Sequence, residues 1–512
     1  MFTLGIIIGI YAYIIFSLGI AGLLYIKFIL PLTIIFLLFI ILILYSKRSQ
    51  LFQCNVTLEW KSIAIILLLF FQACINLIGA LGPEISFDAL WYHLTLPKLY
   101  LQNHVIRFFP GGLLYYSAMP KLTEMLYTVA LLLSNEIVAK LIHFLFGVFI
   151  LIAIYKISRK YLDTASSLTA CLIFYSNLVV GWMSITAYID LARTFYELIT
   201  FWAFLLFVEK KEYKYLFLSA VFMGLTISTK LVAVGSLAIY SLFLWKKPKH
   251  LFSFLIISLL IPLPWFVFSF LNTGNPVYPI FSGYPFSSAA HLVSPINFVR
   301  ETLTLLMRSA DPISPVYIIF LPLILLFFSR FKKHEKPIAL YSLLGLFVWY
   351  ITPRTGGGRF ILPYLPVWSI LVAILLSKLP FIFRKYSTVL IIVVALISIG
   401  YRGIANKKFV PVIFGKQTKE EFLTKNLNFK FGDFYDVDGY FAKTIKPTDR
   451  VLIYGIHNLY YVNFPFVHES YMQPEDWFNY VLVGEGQLPP QYANWRLIYQ
   501  NNTNNVKLYA LP

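Results

Sequence analysis

Long apolar runs separated by short polar loops fill the chain as far as Gly403. An α-helix needs roughly 20 mostly apolar residues to cross the hydrocarbon core of a bilayer. The runs predict about thirteen transmembrane helices, at residues 4–23, 27–45, 62–80, 136–155, 165–184, 189–208, 214–229, 231–245, 251–271, 315–330, 337–351, 360–378 and 387–403. Because several of these runs are short, the prediction carries a margin of about one or two helices.

Basic residues in the loops predict which side of the membrane each loop occupies. Lys and Arg concentrate in the cytoplasmic loops of membrane proteins. Six alternate loops hold 19 Lys and Arg between them, at residues 46–61, 156–164, 209–214, 246–250, 330–336 and 378–385. We therefore predict that these loops and the N-terminus are cytoplasmic, in an inner cell membrane. Loops 81–135, 272–314 and 352–359 then lie outside the cytoplasm.

Residues 404–512 have a different character, because their hydrophobicity drops sharply. Short β-rich runs occur at Arg450–Gly455 and Arg496–Tyr499, and the second is followed by a turn at 501–505 and by Val506–Tyr509. This pattern predicts a small extracytoplasmic α/β domain that ends in a hairpin.

The composition agrees with a polytopic membrane protein and excludes a soluble enzyme. The 512 residues are 59% hydrophobic and 13% charged, against roughly 45–50% apolar and 25% charged residues in soluble domains. A net charge of +19 would suggest nucleic acid on a soluble chain, but here it follows from the cytoplasmic loops, so no nucleic-acid partner is predicted. Cys54, Cys74 and Cys171 lie in or beside apolar runs, which argues against disulfides and a zinc site.

Ionisable residues inside the apolar runs indicate where chemistry takes place. Lys140 and His143 in one run, and Asp190, Arg193 and Glu197 in another, lie near the predicted outer ends of their helices. Ionisable residues at the membrane midplane usually mark ion or proton pathways. The distribution therefore favours a reaction at the outer surface over transport through the bilayer.

Asp88 in the loop 81–135 is the main candidate for catalysis. It follows the membrane exit and opens a short helical pattern that is expected to close at Pro97. Asp is among the best N-cap residues, so one interpretation is purely structural. In the other interpretation its carboxylate takes a proton from an acceptor hydroxyl or holds a divalent cation.

Further candidates for substrate contact lie in the same loop. Tyr92 and His93 come one helical turn after Asp88, and Glu124 lies near the end of the loop. A helix-end acid is the alternative interpretation of Glu124.

Asp190, Arg193 and Glu197 have i, i+3 and i+7 spacing, which places them on one helix face. Arg193 between two carboxylates would form an ion-pair ladder, and a site role for Asp190 is the equal alternative. Lys230 interrupts an apolar stretch at a predicted outer turn, either as a snorkelling lysine or as an anion contact.

Two arginines flank three glycines in Pro353–Pro363, where a helix begins. Arg354 and Arg359, together with the backbone N–H groups of such a turn, suit a phosphate at the level of the lipid headgroups. An outer loop with incidental arginines is the other interpretation.

The order and sidedness of these motifs resemble the GT-C superfamily of membrane glycosyltransferases, in particular the family 39-like protein O-mannosyltransferases and lipid A aminoarabinose transferases. The motifs that carry the resemblance are Phe87–Leu94, Met119–Glu124, Ala187–Leu191, Ser228–Lys230, Thr273–Pro279 and Arg359–Pro363. The resemblance implies an all-α polytopic membrane protein of the GT-C type, with its catalytic module at residues 62–403. Residues 1–61 would add two N-terminal helices, and 404–512 would form the α/β domain.

The resemblance also implies a function. A hexosyl or pentosyl group would move from a polyprenyl-phosphate donor, with inversion, to a glycan, lipid or protein acceptor outside the cytoplasm. Asp88 would be the base and Asp190 the second acid, while Lys230, Arg354 and Arg359 would hold the departing phosphate. Many relatives have two adjacent acids in the first loop, whereas Asp88 precedes Ala89. This difference leaves open whether Asp88 and Asp190 hold Mg²⁺ or Mn²⁺.

Two alternatives stand beside this interpretation. A polysaccharide polymerase or ligase would place the same chemistry on the same membrane face. A lipid-linked oligosaccharide transporter would need polar residues deep in the helix bundle, where this chain has few.

Overall fold

The computed structural model describes residues 1–46, 59–282, 294–352, 357–428, 432–484 and 486–512 of the chain. The helices of these residues are, in chain order, α1 Phe2–Ile20, α2 Ile26–Ser46, α3 Trp60–Leu81, α4 Thr95–Asn103, α5 Leu122–Leu133, α6 Glu136–Ser158, α7 Thr164–Tyr175, α8 Leu178–Met183, α9 Asp190–Lys210, α10 Tyr213–Thr229 and α11 Leu237–Leu244. They continue with α12 Pro248–Leu260, α13 Leu263–Thr273, α14 Pro295–Arg308, α15 Val316–Phe320, α16 Leu323–Phe327, α17 Lys336–Ile351, α18 Leu365–Lys378, α19 Phe381–Asn406, α20 Val410–Ile413, α21 Lys419–Asn426 and α22 Tyr440–Thr444. Strands β1 to β5 span Val451–Tyr454, Phe466–His468, Tyr480–Val483, Arg496–Gln500 and Lys507–Ala510.

In the described ranges, six helices are long and apolar enough to cross a membrane, namely α1, α2, α3, α6, α9 and α19. The pair α12–α13, bent by 57°, would be a seventh span. The other six predicted runs contain shorter helices. Pro322 separates α15 from α16, and Asn177 separates α7 from α8, so these runs are interrupted. The count of thirteen is therefore not confirmed, but the helical multi-pass membrane architecture with a small C-terminal sheet is.

Four of the loops that are rich in Lys and Arg meet at one end of the bundle, namely 156–164, 209–214, 330–336 and 378–385. Lys160 forms an ion pair with Glu209 at 2.8 Å, and Lys378 pairs with Glu335 at 2.7 Å. The rings of Tyr161 and His334 stack with centroids 5.5 Å apart. This grouping agrees with the alternation of loops in the sequence, while the assignment of this end to the cytoplasm stays a prediction.

Helix α1 packs inside the bundle. A Cβ atom on Gly5 would lie 2.8 Å from Cδ1 of Ile199 on α9, so the two helices approach closely there. The Tyr13 hydroxyl hydrogen-bonds Ser228 at 2.8 Å and donates to the Ile261 carbonyl at 2.6 Å. Helix α2 is largely exposed. The two N-terminal helices thus differ, because α1 contributes to the core and α2 covers its periphery.

The C-terminal strands form one mixed sheet in the order β2-β1-β3-β5-β4. Strand β1 pairs in parallel with β2 and β3, whereas β4 and β5 form an antiparallel hairpin. The Asn501 N–H donates to the Val506 carbonyl at 2.9 Å across the turn. The predicted hairpin is therefore present where the alternating runs placed it.

The C-terminal domain is fastened to the first loop. The ammonium of Lys98 donates to the Tyr460 carbonyl at 2.7 Å and also to the carbonyl of Val462. The Tyr461 hydroxyl donates to the Glu84 carbonyl at 2.7 Å, four residues before Asp88. The domain therefore supports the backbone that carries the main candidate residue.

Acidification is expected to destabilise the C-terminal domain. Burial lowers the pKa of His468 to about 3, whereas an unfolded histidine has a pKa near 6.5. Between these values the unfolded chain binds a proton that the folded domain excludes, so stability falls as pH drops from about 6.5. We expect the thermal unfolding midpoint of His468→Asn to depend less on pH than that of the wild type. The exposed His334→Asn should retain the wild-type slope, and equal slopes for all three proteins would contradict the assignment.

Candidate active site

A cavity of about 560 Å³ opens at the end of the bundle where the C-terminal domain lies. Segments that are far apart in the sequence form its wall, namely the first loop, helix α8, the turn before α9, the segments around 310 and 359, and the end of α19. The lining residues are Ile85, Ser86, Phe87, Asp88, Trp182, Ile185, Tyr188, Ala310, Asp311, Arg359, Arg402, Ala405, Asn406, Lys408 and Phe409.

Asp88 and Arg359 form an ion pair in this cavity. Nη1 of Arg359 lies 2.6 Å from Oδ2 of Asp88, and each side chain is 15% exposed. The short turn Ala89–His93 begins after Asp88, but the carboxylate makes no capping hydrogen bond to it. The N-cap interpretation is therefore wrong for this side chain. Pro97 lies in the first turn of α4, where proline is tolerated, and does not close the preceding turn.

The position of Arg359 depends on two glycines before it. The N–H of Gly358 donates to the Asp311 carbonyl at 3.1 Å. Gly357 has a φ of +81°, which favours glycine, and a Cβ there would lie 2.3 Å from Oδ2 of Asp311. Part of the predicted glycine motif thus brings the backbone close to Asp311 and presents Arg359 to Asp88. Arg354 lies outside the described residues.

Replacing Gly358 by Ala is expected to impair the site. The new Cβ would lie 2.1 Å from the Asp311 carbonyl oxygen, a backbone atom that cannot yield without moving the turn. We expect a loss of about 1–3 kcal/mol of stability and a reduced transfer rate, measured by thermal unfolding and by a donor assay. Gly400→Ala is the control, because nothing lies within 4 Å of that Cβ. A Gly358→Ala protein with wild-type rate and stability would contradict this view of the turn.

A second ion pair is buried beside the first. The Lys230 ammonium lies 2.7 Å from Oδ1 of Asp190, whose side chain is only 1% exposed. Burial acts to lower the pKa of Arg359, but the carboxylates of Asp190 and Asp88 outweigh this and raise it. The four charged side chains therefore form one electrostatic cluster, in which Arg359 interacts with both acids.

The ladder expected along α9 does not form in the described part of the chain. Asp190 pairs with Lys230, while Glu197 accepts hydrogen bonds from Ser236 at 2.9 Å and Tyr341 at 2.7 Å. No ion pair joins Arg193 to either acid in that part. Lys230 is not a snorkelling lysine, because its ammonium is directed to the buried carboxylate.

Tyr92, His93 and Glu124 lie behind the cavity wall. His93 Nδ1 is 2.9 Å from Oε1 of Glu124, and both side chains are buried. The Tyr92 ring stacks on Tyr116 with centroids 3.8 Å apart. None of the three lines the cavity, so the structure brings them near Asp88 without placing them in its wall. Their contact with substrate stays a prediction.

The cavity also contains charged residues that the sequence did not single out. Asp311 follows the helix α14, and burial raises the pKa of its carboxyl group although Arg359 opposes the shift. Arg402 and Lys408 belong to the end of α19 and the turn after it. Position in an outer loop was the only sequence signal for Asp311. Arg402 was hidden at the end of an apolar run.

The acids of the site do not fit a shared metal ion. Asp88 and Asp190 are each paired with a side-chain cation at 2.6 and 2.7 Å. Among the residues with described positions, no group of three or more His, Cys, Asp and Glu side chains could hold a metal. A divalent cation would have to displace Arg359 or Lys230, so no step below involves one.

Comparison with solved structures defines the fold class. The chain resembles ArnT from Cupriavidus metallidurans bound to undecaprenyl phosphate, with a TM-score of 0.57 and 12% identity over 87% of this chain and 97% of that chain. The apo state of the same protein gives a TM-score of 0.56 at 11% identity with the same coverage. An oligosaccharyltransferase from Archaeoglobus fulgidus gives 0.45 at 13% identity, over 76% of this chain and 62% of that chain. The two ArnT matches show that this chain shares the fold of ArnT.

A family model makes the class more specific. Residues 123–268 match the model described as dolichyl-phosphate-mannose-protein mannosyltransferase. Fold and family match together confirm the resemblance to GT-C superfamily glycosyltransferases. No curated protein matches the sequence.

Proposed function

We propose that this protein is a glycosyltransferase that moves a sugar from a polyprenyl-phosphate donor to an extracytoplasmic acceptor, with inversion. The observation that carries the proposal is the Asp88–Arg359 pair, joined to Asp190 and Lys230, in a cavity at one end of a membrane bundle. The related fold of ArnT, solved with undecaprenyl phosphate, supports a polyprenyl-linked donor. A polyprenyl chain stays in the bilayer, so an enzyme that uses it must reach the sugar from the membrane surface.

The ion pair couples donor binding to catalysis. The guanidinium of Arg359, 2.6 Å from Oδ2 of Asp88, occupies that carboxylate oxygen, so the oxygen is not free to accept a proton from an acceptor hydroxyl. The donor phosphate competes with Asp88 for Arg359, and Arg binds phosphate through strong charge-assisted hydrogen bonds. Donor binding thus draws Arg359 away and frees the Asp88 carboxylate to accept the proton of the acceptor hydroxyl. The site becomes reactive only when the phosphate is in place.

The chemical step follows from these positions. The acceptor hydroxyl oxygen attacks the anomeric carbon, its proton passes to Asp88, and the bond from that carbon to the phosphate oxygen breaks. The electron pair of the broken bond leaves with the phosphate, whose charge changes from −1 to −2. Arg359 and Lys230 stabilise this developing charge, while Asp190 keeps Lys230 in position. Attack opposite to the leaving group inverts the anomeric configuration.

Aromatic side chains in the cavity wall suit the sugar. Phe87, Trp182 and Tyr188 line it, and the rings of Trp182 and Tyr188 meet edge to face at 5.6 Å. Aromatic rings provide rigid apolar faces, and the tyrosine hydroxyl and indole N–H provide polar contacts. The acceptor is a glycan, a lipid or a protein. The distribution of Lys and Arg among the loops supports a reaction on the extracytoplasmic face of the inner membrane.

A donor assay tests the proposal. Purified protein in nanodiscs would be incubated with a panel of radiolabelled undecaprenyl-phosphate sugars and with cell-envelope acceptor fractions. We expect acceptor-dependent release of undecaprenyl phosphate and label in the acceptor. Movement of intact lipid-linked sugar across a sealed vesicle without bond cleavage would favour a transporter instead. Absence of turnover with every donor and acceptor fraction would contradict the proposed function.

A further inference from the structure

Arg402 and Lys408 give the cavity a second positive region. Both line the same cavity as Asp88 and Arg359, although they come from the end of α19 and the turn that follows it. Arg402 is only 7% exposed, whereas Lys408 is open to solvent. A buried guanidinium in a cavity wall is costly unless an anion or hydrogen-bond acceptors compensate its charge.

The described residues do not supply that compensation. No ion pair of the described ranges includes Arg402 or Lys408, unlike Arg359 and Lys230. Nη2 of Arg402 donates to Oδ1 of Asn406 at 3.0 Å, but Nε is buried and has no hydrogen-bond partner among those residues. Arg402 therefore lines the cavity without a carboxylate partner in the described ranges, and one of its buried donors is unpaired.

The surroundings hold the Arg402 side chain in place. It lies across Gly181, where an added Cβ would come within 3.1 Å of three of its side-chain atoms. The Asn406 amide donates to the Ile75 carbonyl at 2.8 Å, which directs its oxygen toward Arg402. A side chain that is fixed by a glycine and an oriented amide loses little freedom when it binds a ligand. The cation is thus held in a fixed position, with no carboxylate partner among the residues that the structure describes.

The balance of charges in the cavity indicates where further negative charge on the substrates would bind. Among the described residues, Asp88 pairs with Arg359 and Asp190 with Lys230, while the Asp311 carboxylate interacts with the same Arg359 and forms no ion pair of its own. Arg402 and Lys408 belong to the same cavity and have no carboxylate partner in the described chain. Any further negative charge on the substrates is therefore best accommodated beside this second pair of cations.

We propose that Arg402 and Lys408 form a second phosphate subsite, which binds a phosphate group other than the one that leaves from the anomeric carbon. The inference rests on the proposed function and deepens it, because it requires that the substrates together carry two phosphates. The second phosphate belongs either to the donor, which would then be a polyprenyl-diphosphate sugar in place of the monophosphate proposed above, or to a phosphorylated acceptor. Both sources present the same oxyanion to the guanidinium and the ammonium.

Binding measurements separate the two sources. Affinities of undecaprenyl phosphate and undecaprenyl diphosphate would be measured for the wild type and for Arg402→Gln/Lys408→Gln, in detergent without phospholipid. If the donor carries the second phosphate, the wild type should bind the diphosphate at least about tenfold more tightly, and the double variant should lose this preference. If the acceptor carries the second phosphate, the wild type should bind undecaprenyl phosphate and undecaprenyl diphosphate with equal affinity. Glucose 1-phosphate should then bind to the wild type loaded with undecaprenyl phosphate and not to the loaded variant.

Matched controls keep the result interpretable. Lys407→Gln changes a neighbouring exposed lysine that does not line the cavity, and it should behave as the wild type. Lys408→Gln alone removes an exposed side chain and should give part of the effect even if the Arg402 change disturbs folding. Unchanged binding of all three ligands in the double variant would overturn the second subsite. Loss of undecaprenyl phosphate binding in Arg359→Gln in the same experiment would show that the proposed function survives that failure.

Discussion

Asp88→Asn is expected to lower the rate of sugar transfer by about 10²–10⁴-fold, the usual contribution of a general base. Donor affinity should rise in the same variant, because Arg359 no longer has to leave a carboxylate 2.6 Å away before it binds the phosphate. Single-turnover transfer with radiolabelled donor and equilibrium binding of undecaprenyl phosphate measure the two effects separately. Opposite changes in rate and affinity are the signature of the coupled ion pair.

A matched variant controls for the loss of an acidic side chain. Asp163 caps α7 at the other end of the bundle, where its carboxylate accepts from the Ser166 N–H at 2.8 Å. Asn is as good an N-cap as Asp, so Asp163→Asn should keep the wild-type rate and affinity. An Asp88→Asn protein that transfers sugar at the wild-type rate would remove Asp88 from the chemistry.

Arg359→Gln is expected to weaken donor binding and to slow transfer by about 10²–10³-fold, as for other groups that stabilise charge developing in a transition state. It should also lower stability, because Asp88 and Asp190 both lose a stabilising cation. Arg359→Lys retains the positive charge but lacks the planar guanidinium, whose N–H groups can bind phosphate in a bidentate manner. It should therefore have the stability of the wild type but only part of its transfer rate.

A double variant separates the two effects of Arg359. Asp88→Asn/Arg359→Gln removes both partners of the pair, so it should be more stable than Arg359→Gln alone and remain inactive. Thermal unfolding and donor binding are the measurements. Wild-type donor affinity in Arg359→Gln would exclude Arg359 from the phosphate site.

Much of the architecture could be predicted from the sequence, because lipid requires long apolar helices and a terminal hairpin needs only local alternation. The positions of Asp88, Asp190, Lys230 and Arg359 were predictable as interruptions of apolar runs by charge. Their pairing was not, since it depends on contacts between segments up to 271 residues apart.

The features that the sequence did not reveal have physical reasons. Pro322 and Asn177 interrupt helices inside apolar runs, and hydrophobicity alone does not register such breaks. Asp88 resembles an N-cap in sequence, yet the segment after it, Ala89–His93, is a single π-helical turn that the carboxylate does not cap, and the carboxylate binds Arg359 instead. Arg402 lies at the end of an apolar run, and its place in the cavity wall depends on contacts between distant segments that the sequence does not reveal.

A cryo-electron microscopy structure with undecaprenyl phosphate in a nanodisc tests the central claim most directly. We predict that the phosphate oxygens accept hydrogen bonds from Arg359 and that the Asp88 carboxylate is released from the 2.6 Å contact. A lipid phosphate bound elsewhere, with Asp88 and Arg359 still paired at that distance, would contradict the account.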